Sequence, residues 1–383
     1  MYAPSALPLR VVSEARSYSR QKYLLSLLDT LFLLVLLYLV LATGISAAVT
    51  AQIRALCVCP WLVLPLYLAV VSLGYYLFSF PITFYRSFIL EHRYGLSRMR
   101  FGQWMADQGK SGMIAYLFTL MLVAAFYGIM RVQPGSWWLS VSFCWVFFTL
   151  LLTKLTPLII IPLFFKYRPL EDEELRQRIR VLGEKMQVPF LDVFEIDMSK
   201  KTQKANAAFV GWGATRRVLL ADTLRDRYTH DEISVILAHE FAHYKYKHLL
   251  KLIIFNAALT MALFYLIFRT APGVLASFGL DSLSDVEALP LIFLYMHLFN
   301  IIIQPAHAFL SRCLERTADR TALAVTGSPQ AFISMMKKLA RQNLADMQPH
   351  PLVKFFFFDH PPVSERIHTA QAFGEGQQEE EKR

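Results

Sequence analysis

Six apolar runs constrain this chain more tightly than any other feature: Leu24–Ala48, Trp61–Tyr85, Met113–Met130, a run starting at Trp137, Leu249–Phe268, and Ala288 to about Gln304. Crossing the hydrocarbon core of a bilayer takes about 20 mostly apolar residues in a helix. Backbone polar groups cannot stay unpaired in lipid, so each run is expected to be helical. Soluble chains of 383 residues rarely carry 55% hydrophobic residues. The expected fold class is mainly α: a polytopic helical membrane protein of about six spans. The first run is longer than a signal-peptide core and follows about twenty polar residues, so it reads as an uncleaved anchor. Lys154 and Pro157 interrupt the fourth. It should end near Lys154, with Leu155–Phe165 at the interface or packed on other helices; a seventh short span there is the alternative.

Most of the net charge of +10 comes from Lys and Arg flanking the runs. Arg10, Arg16, Arg20 and Lys22 precede the first run, and Arg86, Arg93, Arg98, Arg100 and Lys110 follow the second. The loops after the first, third and fifth runs are poor in both. This alternation predicts that both termini face the cytoplasm. No basic–aromatic nucleic-acid module stands out. Cys57, Cys59, Cys144 and Cys313 form no C-x-x-C, which predicts neither a disulfide framework nor a cysteine ligand.

Between the fourth and fifth runs the composition turns soluble. There His239-Glu240-Phe241-Ala242-His243 forms an H-E-x-x-H pentad. Thr229 and Glu232 match a capping box. Ile233, Ile236 and Leu237 recur at helical spacing, and neither Gly nor Pro intervenes before Leu250, so one helix is expected through the pentad. Imidazoles at i and i+4 share a face and can hold one Zn²⁺ at about 2.0–2.1 Å each. Glu240, beside the first of them, could take the proton of a zinc-bound water. On the same continuous helix His248 would fall about 180° away from His239, which reads as an interfacial histidine rather than a ligand.

Glu171–Met186 reads as an amphipathic helix and Asp192–Ile196 as a strand. Asn206–Trp212 and Arg217–Leu220 read as an antiparallel hairpin joined by Gly213-Ala214-Thr215. Such an edge can hold a peptide as an added strand; a hairpin that only packs is the alternative. After the sixth run, Glu315 and Asp319 lie one helical turn apart. Glu315 could complete a His₂Glu set with the fourth position open, and Asp319 could hold a ligand imidazole from behind. E-x-x-x-D is also a common surface pattern. Around the end of the sixth run, His297, Asn300, Gln304 and His307 fall within an arc of roughly 80°. Ser311 and Glu315 extend it if Pro305 does not bend the helix. The stripe is expected to line a wet chamber beneath the site, with bonds to neighbouring helices as the alternative. The Arg86–Lys110 loop mixes charges with aromatics and is expected at the interface, and the tail from Gly374 is expected to be disordered.

Several stretches are then recognisable together: K-A-N-A-A-F-V-G-W-G with R-V-L-L-A-D-T-L, H-E-F-A-H, L-E-R-T-A-D and D-H-P-P-V-S-E-R. With E-H-R-Y-G-L and I-I-P-L-F-F-K-Y-R-P-L, they resemble the CAAX prenyl protease family (type I) of membrane zinc metallopeptidases, over about Arg86–Ile367. The resemblance implies a helical membrane chamber carrying a small α+β protease domain at its cytoplasmic end. It implies one Zn²⁺ per chain on His239, His243 and Glu315, with Glu240 as general base. Asp319 is similar to the family's acid behind the ligands, Asn206 to its substrate-backbone contact on the edge strand, and His360 to the histidine that steadies the tetrahedral intermediate. Arg366 is placed with the substrate-binding group, paired to an acid near the site.

The implied activity is a gluzincin-type metalloendopeptidase acting on a peptide or protein substrate at the lipid bilayer. A non-catalytic scaffold with a structural zinc is the alternative, and three ligands rather than four weigh against it. Six expected spans and a chain ending E-E-E-K-R point to a bacterial inner-membrane member with its site facing the cytoplasm; the ER membrane is the alternative. The resemblance carries over neither the substrate, prenylated or not, nor the oligomeric state. The expected division is 1–166 for four spans with tail and loop, 167–250 for the first part of the catalytic domain, 251–311 for two further spans, and 312–383 for its second part.

Overall fold

The computed structural model describes residues 9–211 and 216–381. Helix α1 (Leu9–Ala42) begins well before the first apolar run and stops short of its expected end. Gly44, at φ 70°, turns the chain there, a conformation that glycine adopts with little cost. After it come α2 (Ile45–Leu56), α3 (Val63–Phe84), α4 (Leu90–Arg93), α5 (Phe101–Val132), α6 (Trp137–Leu155) and α7 (Ile161–Phe164). Among the described residues, six helical stretches are long and apolar enough to cross a membrane: Arg10–Ala42, Pro60–Arg93, Phe101–Val132, Trp137–Phe164, His248–Phe278 and Val286–Thr326. The fourth does not end at Lys154. A wider, π-type turn at Thr156–Ile160 absorbs Pro157, whose missing N–H breaks an ordinary α ladder, and helix resumes beyond it.

The soluble part contains β1 (Tyr167–Pro169), α8 (Glu173–Met186), β2 (Val193–Ile196), β3 (Ala207–Val210), β4 (Arg217–Ala221), α9 (Asp222–Arg225) and α10 (His230–Lys245). Then follow α11 (His248–Leu275), α12 (Leu289–Thr326), α13 (Pro329–Gln342), α14 (Pro351–Phe357) and α15 (Val363–Glu381). The strands form one mixed sheet in the order β1-β2-β4-β3. β3 and β4 are antiparallel, with Ala208 opposite Leu219, as the hairpin reading expects. The turn at 213–215 lies outside the described residues. β2 runs parallel to β4, and β1, too short for its alternation to be legible, adds an antiparallel edge. β3 is the other edge. Ile179, Val218, Leu220, Ile233, Phe241, Ala318 and Phe332 bury one shared core beneath the sheet's neighbouring helices.

Helix α10 starts as the capping box dictates: Thr229 Oγ1 accepts from Glu232 N at 3.3 Å and Glu232 Oε2 accepts from Thr229 N at 2.8 Å. Ser334 and Lys338 of α13 donate to the same carboxylate, each at 2.7 Å. Burial pushes the Glu232 carboxyl up, but these bonds outweigh it and hold the group below the ordinary carboxylate range. A depressed carboxylate stabilises the fold fully above its unfolded value of about 4.3, and that share is lost as pH falls through the lower folded value. Glu232→Gln should therefore melt earlier than the parent at neutral pH in detergent, with the gap closing on acidification towards pH 3. A gap that stays constant over that range would remove the linkage.

Two expectations change here, and a third segment gains a partner. The pentad helix does not run to Leu250: α10 ends at Lys245, Lys247 takes φ 53°, and α11 restarts at His248. The loop after the second span is strapped to the chain entering β3. Gln203 N donates to Leu96 O at 2.9 Å, Arg98 N to Lys201 O at 3.1 Å, and Ser97 bridges Thr202. His92 is spent inside that loop, its two nitrogens 2.7 Å from Phe88 O and 2.8 Å from Met99 O. The tail is helical as far as Glu381.

Helix α12 runs unbroken through Pro305 for 38 residues, roughly 57 Å at 1.5 Å per residue. His297 leaves the proposed polar stripe: its Nε2 donates to the Thr30 carbonyl of α1 at 2.9 Å. Asn300, Gln304 and His307 instead line a cavity of about 370 Å³ with Asn256 and Thr260 of α11. Cysteines at 300, 304 and 307, in a chain lacking its own four, are expected to react with a small water-soluble thiol reagent. One replacing the outward-facing Ile302 should react slowly. Equal protection of both sets would mean a dry cavity.

Candidate active site

The most extensive packing of one element on another is α10 against α12. Ala238 and Ala242 on one and Ala318 and Ala322 on the other are fully buried, and such small side chains let two helices approach closely. That approach brings Glu315 up to the pentad. Glu315 Oε2 lies 3.1 Å from His239 Nε2, Glu315 Oε1 lies 3.2 Å from His243 Nε2, and the two Nε2 atoms are 3.1 Å apart. One donor atom from each of the three residues lies within 4.8 Å of the others.

Asp319 lies behind His239, its Oδ1 2.9 Å from Nδ1. An ionised carboxylate only accepts, so His239 carries a proton on Nδ1. Arg366 Nη2 approaches the same nitrogen at 3.4 Å, but the shorter, charge-assisted contact decides the tautomer. The guanidinium grips Asp319 instead, Nε to Oδ2 at 2.8 Å and Nη2 to Oδ1 at 2.5 Å. Arg366 thus faces inward onto Asp319, which is 2% exposed. With its proton on Nδ1, neutral His239 turns a lone pair on Nε2 towards Glu315. Oε2 of Glu315 is buried and receives no hydrogen bond. Lone pairs converging on one buried point require a positive charge between them. Without a metal that charge is a second proton: burial pushes His239 down, but Asp319 and Glu315 together lift it to about 9.

Glu240 faces the same pocket half-buried. Burial lifts its carboxyl above the ordinary range, Glu315 adds to this, and His239 and His243 pull the other way. His360, just after α14, reaches over the cluster with Nε2 3.5 Å from Glu315 Oε1. Its Nδ1 lies 2.8 Å from Asp359 Oδ1, and that bond is the main cause of its raised pKa. Asn206 is exposed at the entry to edge strand β3, its carbonyl accepting from Ala221 N at 3.1 Å. β3 is packed on the pentad helix through Phe209, whose ring lies 5.4 Å from Phe241 and 5.4 Å from Tyr244.

Two neighbours escaped the sequence reading. His248 places Nδ1 3.0 Å from His243 Nδ1, because the break at Lys247 folds it back against the pentad. Nothing in the sequence marks that break, since neither Gly nor Pro sits there. Asp359 orients His360, and its place directly before that histidine was a readable signal.

An H-E-x-x-H helix answered by a glutamate from a second helix, set on a helical membrane shell, defines an integral-membrane metallopeptidase. Family comparison agrees. Residues 169–373 match the model described as peptidase family M48, and residues 5–166 match CAAX prenyl protease N-terminal, five membrane helices. The chain is 29% identical over 361 residues to the uncharacterized metalloprotease YhfN of Bacillus subtilis, spanning 93% of this chain and 84% of that protein. It is 30% identical over 310 residues to CAAX prenyl protease 1 of Saccharomyces cerevisiae, spanning 76% and 68%. The crystal structure of S. mikatae Ste24p shares the fold, with a TM-score of 0.86 at 24% identity over 95% of this chain and 90% of that one. The chain belongs to peptidase family M48: it is a multi-pass membrane metalloprotease acting on peptides or proteins.

Proposed function

We propose that the chain is a gluzincin-type endopeptidase holding one Zn²⁺ on His239, His243 and Glu315. The observation that carries this is the convergence of those three donor sets on one buried point, with Glu315 Oε2 lacking any hydrogen bond. Two imidazoles and a carboxylate suit zinc, and three protein donors leave a position open for chemistry. When bound, the metal supplies Lewis acidity, acidifying a water and polarising the scissile carbonyl.

The side chains do the rest. Glu240 takes the proton of the attacking water and returns it to the leaving amine, and its burial keeps it basic enough for both. His360, held by Asp359, donates towards the oxygen on which negative charge develops. Asp319 fixes the His239 tautomer, and Arg366 fixes Asp319. The substrate extends along β3, with Asn206 bonding its backbone. Basic-residue alternation supports a site on the cytoplasmic face, and the Bacillus relative supports a bacterial inner membrane. The catalytic unit is then assembled from 167–250 and 312–383 around the spans.

The test is metal content alongside cleavage. Purified protein should carry one zinc per chain, lose activity to a chelator and regain it with zinc, and His239→Ala should carry none. Metal binding must displace the proton on the cluster, so occupancy falls in acid. Cleavage that resists the chelator would end this reading.

A further inference from the structure

Helix α14 presents Leu352, Phe355 and Phe356 outward at 64, 49 and 39% exposure. Positions i, i+3 and i+4 share a face, so this is one continuous apolar surface. The other side of the helix is held by protein. Lys354 pairs with Glu365, and buried Arg312 of α12 donates to the carbonyls of Lys354 and Phe358 at 3.0 and 2.5 Å.

Two outward-facing apolar stripes lead to this surface. On α1, Leu24, Leu27, Leu28 and Leu31 are exposed within a candidate span. Tyr23, directly before them, sets its ring 5.8 Å from Phe357 and 6.0 Å from Phe358. On α12, Leu298, Ile302 and Phe309 are exposed, in an arc of roughly 80° that also contains Arg312. The bond from His297 to the Thr30 carbonyl ties the two helices at one level. From there Tyr23 lies roughly 10 Å and Arg312 roughly 22 Å towards the catalytic cluster, at 1.5 Å per residue. Tyr23 stands at the end of the apolar stripe of α1, with Lys22 and Arg20 beyond it, so α14, packed against Tyr23, sits where the core gives way to headgroups.

We propose that the Leu352–Phe355–Phe356 face of α14 lies at the boundary between headgroups and acyl chains of the bilayer, on the side that carries the catalytic cluster. Helices lying at that boundary turn Leu and Phe towards the acyl chains. His360 follows three residues after α14 ends, so the immersed face anchors the His360 turn at the membrane surface. The inference rests on α1 and α12 being membrane spans and not on the catalytic roles, so its failure would leave those standing.

Nitroxides at Phe355→Cys and Phe356→Cys, in a chain with its four cysteines replaced by alanine, can be studied in phosphatidylcholine–phosphatidylglycerol vesicles. Collisions with oxygen should exceed those with a nickel chelate, and the order should reverse at Glu379→Cys on α15. Nickel dominance at 355 and 356 would show water there. Low collision with both would show a protein cover, a second copy included. Either overturns the proposal. In the chain with its native cysteines, a benzoylphenylalanine replacing Phe355 should crosslink phospholipid; crosslinking to protein alone would overturn it equally.

Discussion

Glu240→Gln should leave the zinc content unchanged and lower kcat by about 10²–10⁴-fold, the usual share of a positioned general base. Glutamine has nearly the shape of glutamate and keeps a polar group in the half-buried position, so the helix and its two imidazoles stay in place. What it lacks is a group able to accept a proton from water and pass it on. KM should change far less than kcat, because Glu240 acts on the reacting atoms rather than on the rest of the substrate. The measurement is metal stoichiometry together with steady-state cleavage of one peptide. Wild-type turnover by the variant would assign the base elsewhere, and loss of metal would make Glu240 part of the metal site.

Asp319→Ala should cost about 3–5 kcal/mol in stability, the usual cost of removing one partner of a buried charge pair. It leaves Arg366, only 12% exposed at its side chain, without the carboxylate it grips through two nitrogens. It also frees the Nδ1 proton of His239, and losing such a partner typically lowers metal affinity by about 10–100-fold. The two effects can be separated. Asp319→Ala combined with Arg366→Met removes the stranded charge, so the double variant should melt above Asp319→Ala alone while its metal affinity stays low. Thermal unfolding in detergent and chelator competition read the two quantities independently. If the second substitution restored metal affinity as well, Arg366 rather than Asp319 would govern the ligand.

The local patterns carried far. Helical periodicity and the Thr229–Glu232 box located the pentad helix, and apolar length located the six spans. The pentad reads well because i and i+4 are neighbours by helix geometry alone, whatever the rest of the chain does. The hairpin was legible for a similar reason: its two apolar strands are close in sequence. Glu315 is a different case. Its spacing to Asp319 was visible, but its meeting with His239 depends on the close packing of α10 on α12 across 76 residues of chain. The family resemblance, not the pattern, singled it out beforehand.

By itself the sequence determined most of the elements: the pentad helix, the hairpin, the six runs apolar enough to cross a membrane, and which side chains share a helix face. The tertiary structure decided which of those faces meet. Lys247 adopts a left-handed conformation unfavourable by about 1–2 kcal/mol for a residue with a side chain. Packing contacts far along the chain offset that cost, and as a result His248 touches His243 instead of lying half a turn away from the pentad face. Likewise His297 and Asn300 share a stripe by angle, yet one bonds α1 and the other lines a cavity with α11. Periodicity fixes direction around a single helix axis; what lies in that direction depends on neighbours distant in sequence, and no local pattern records them.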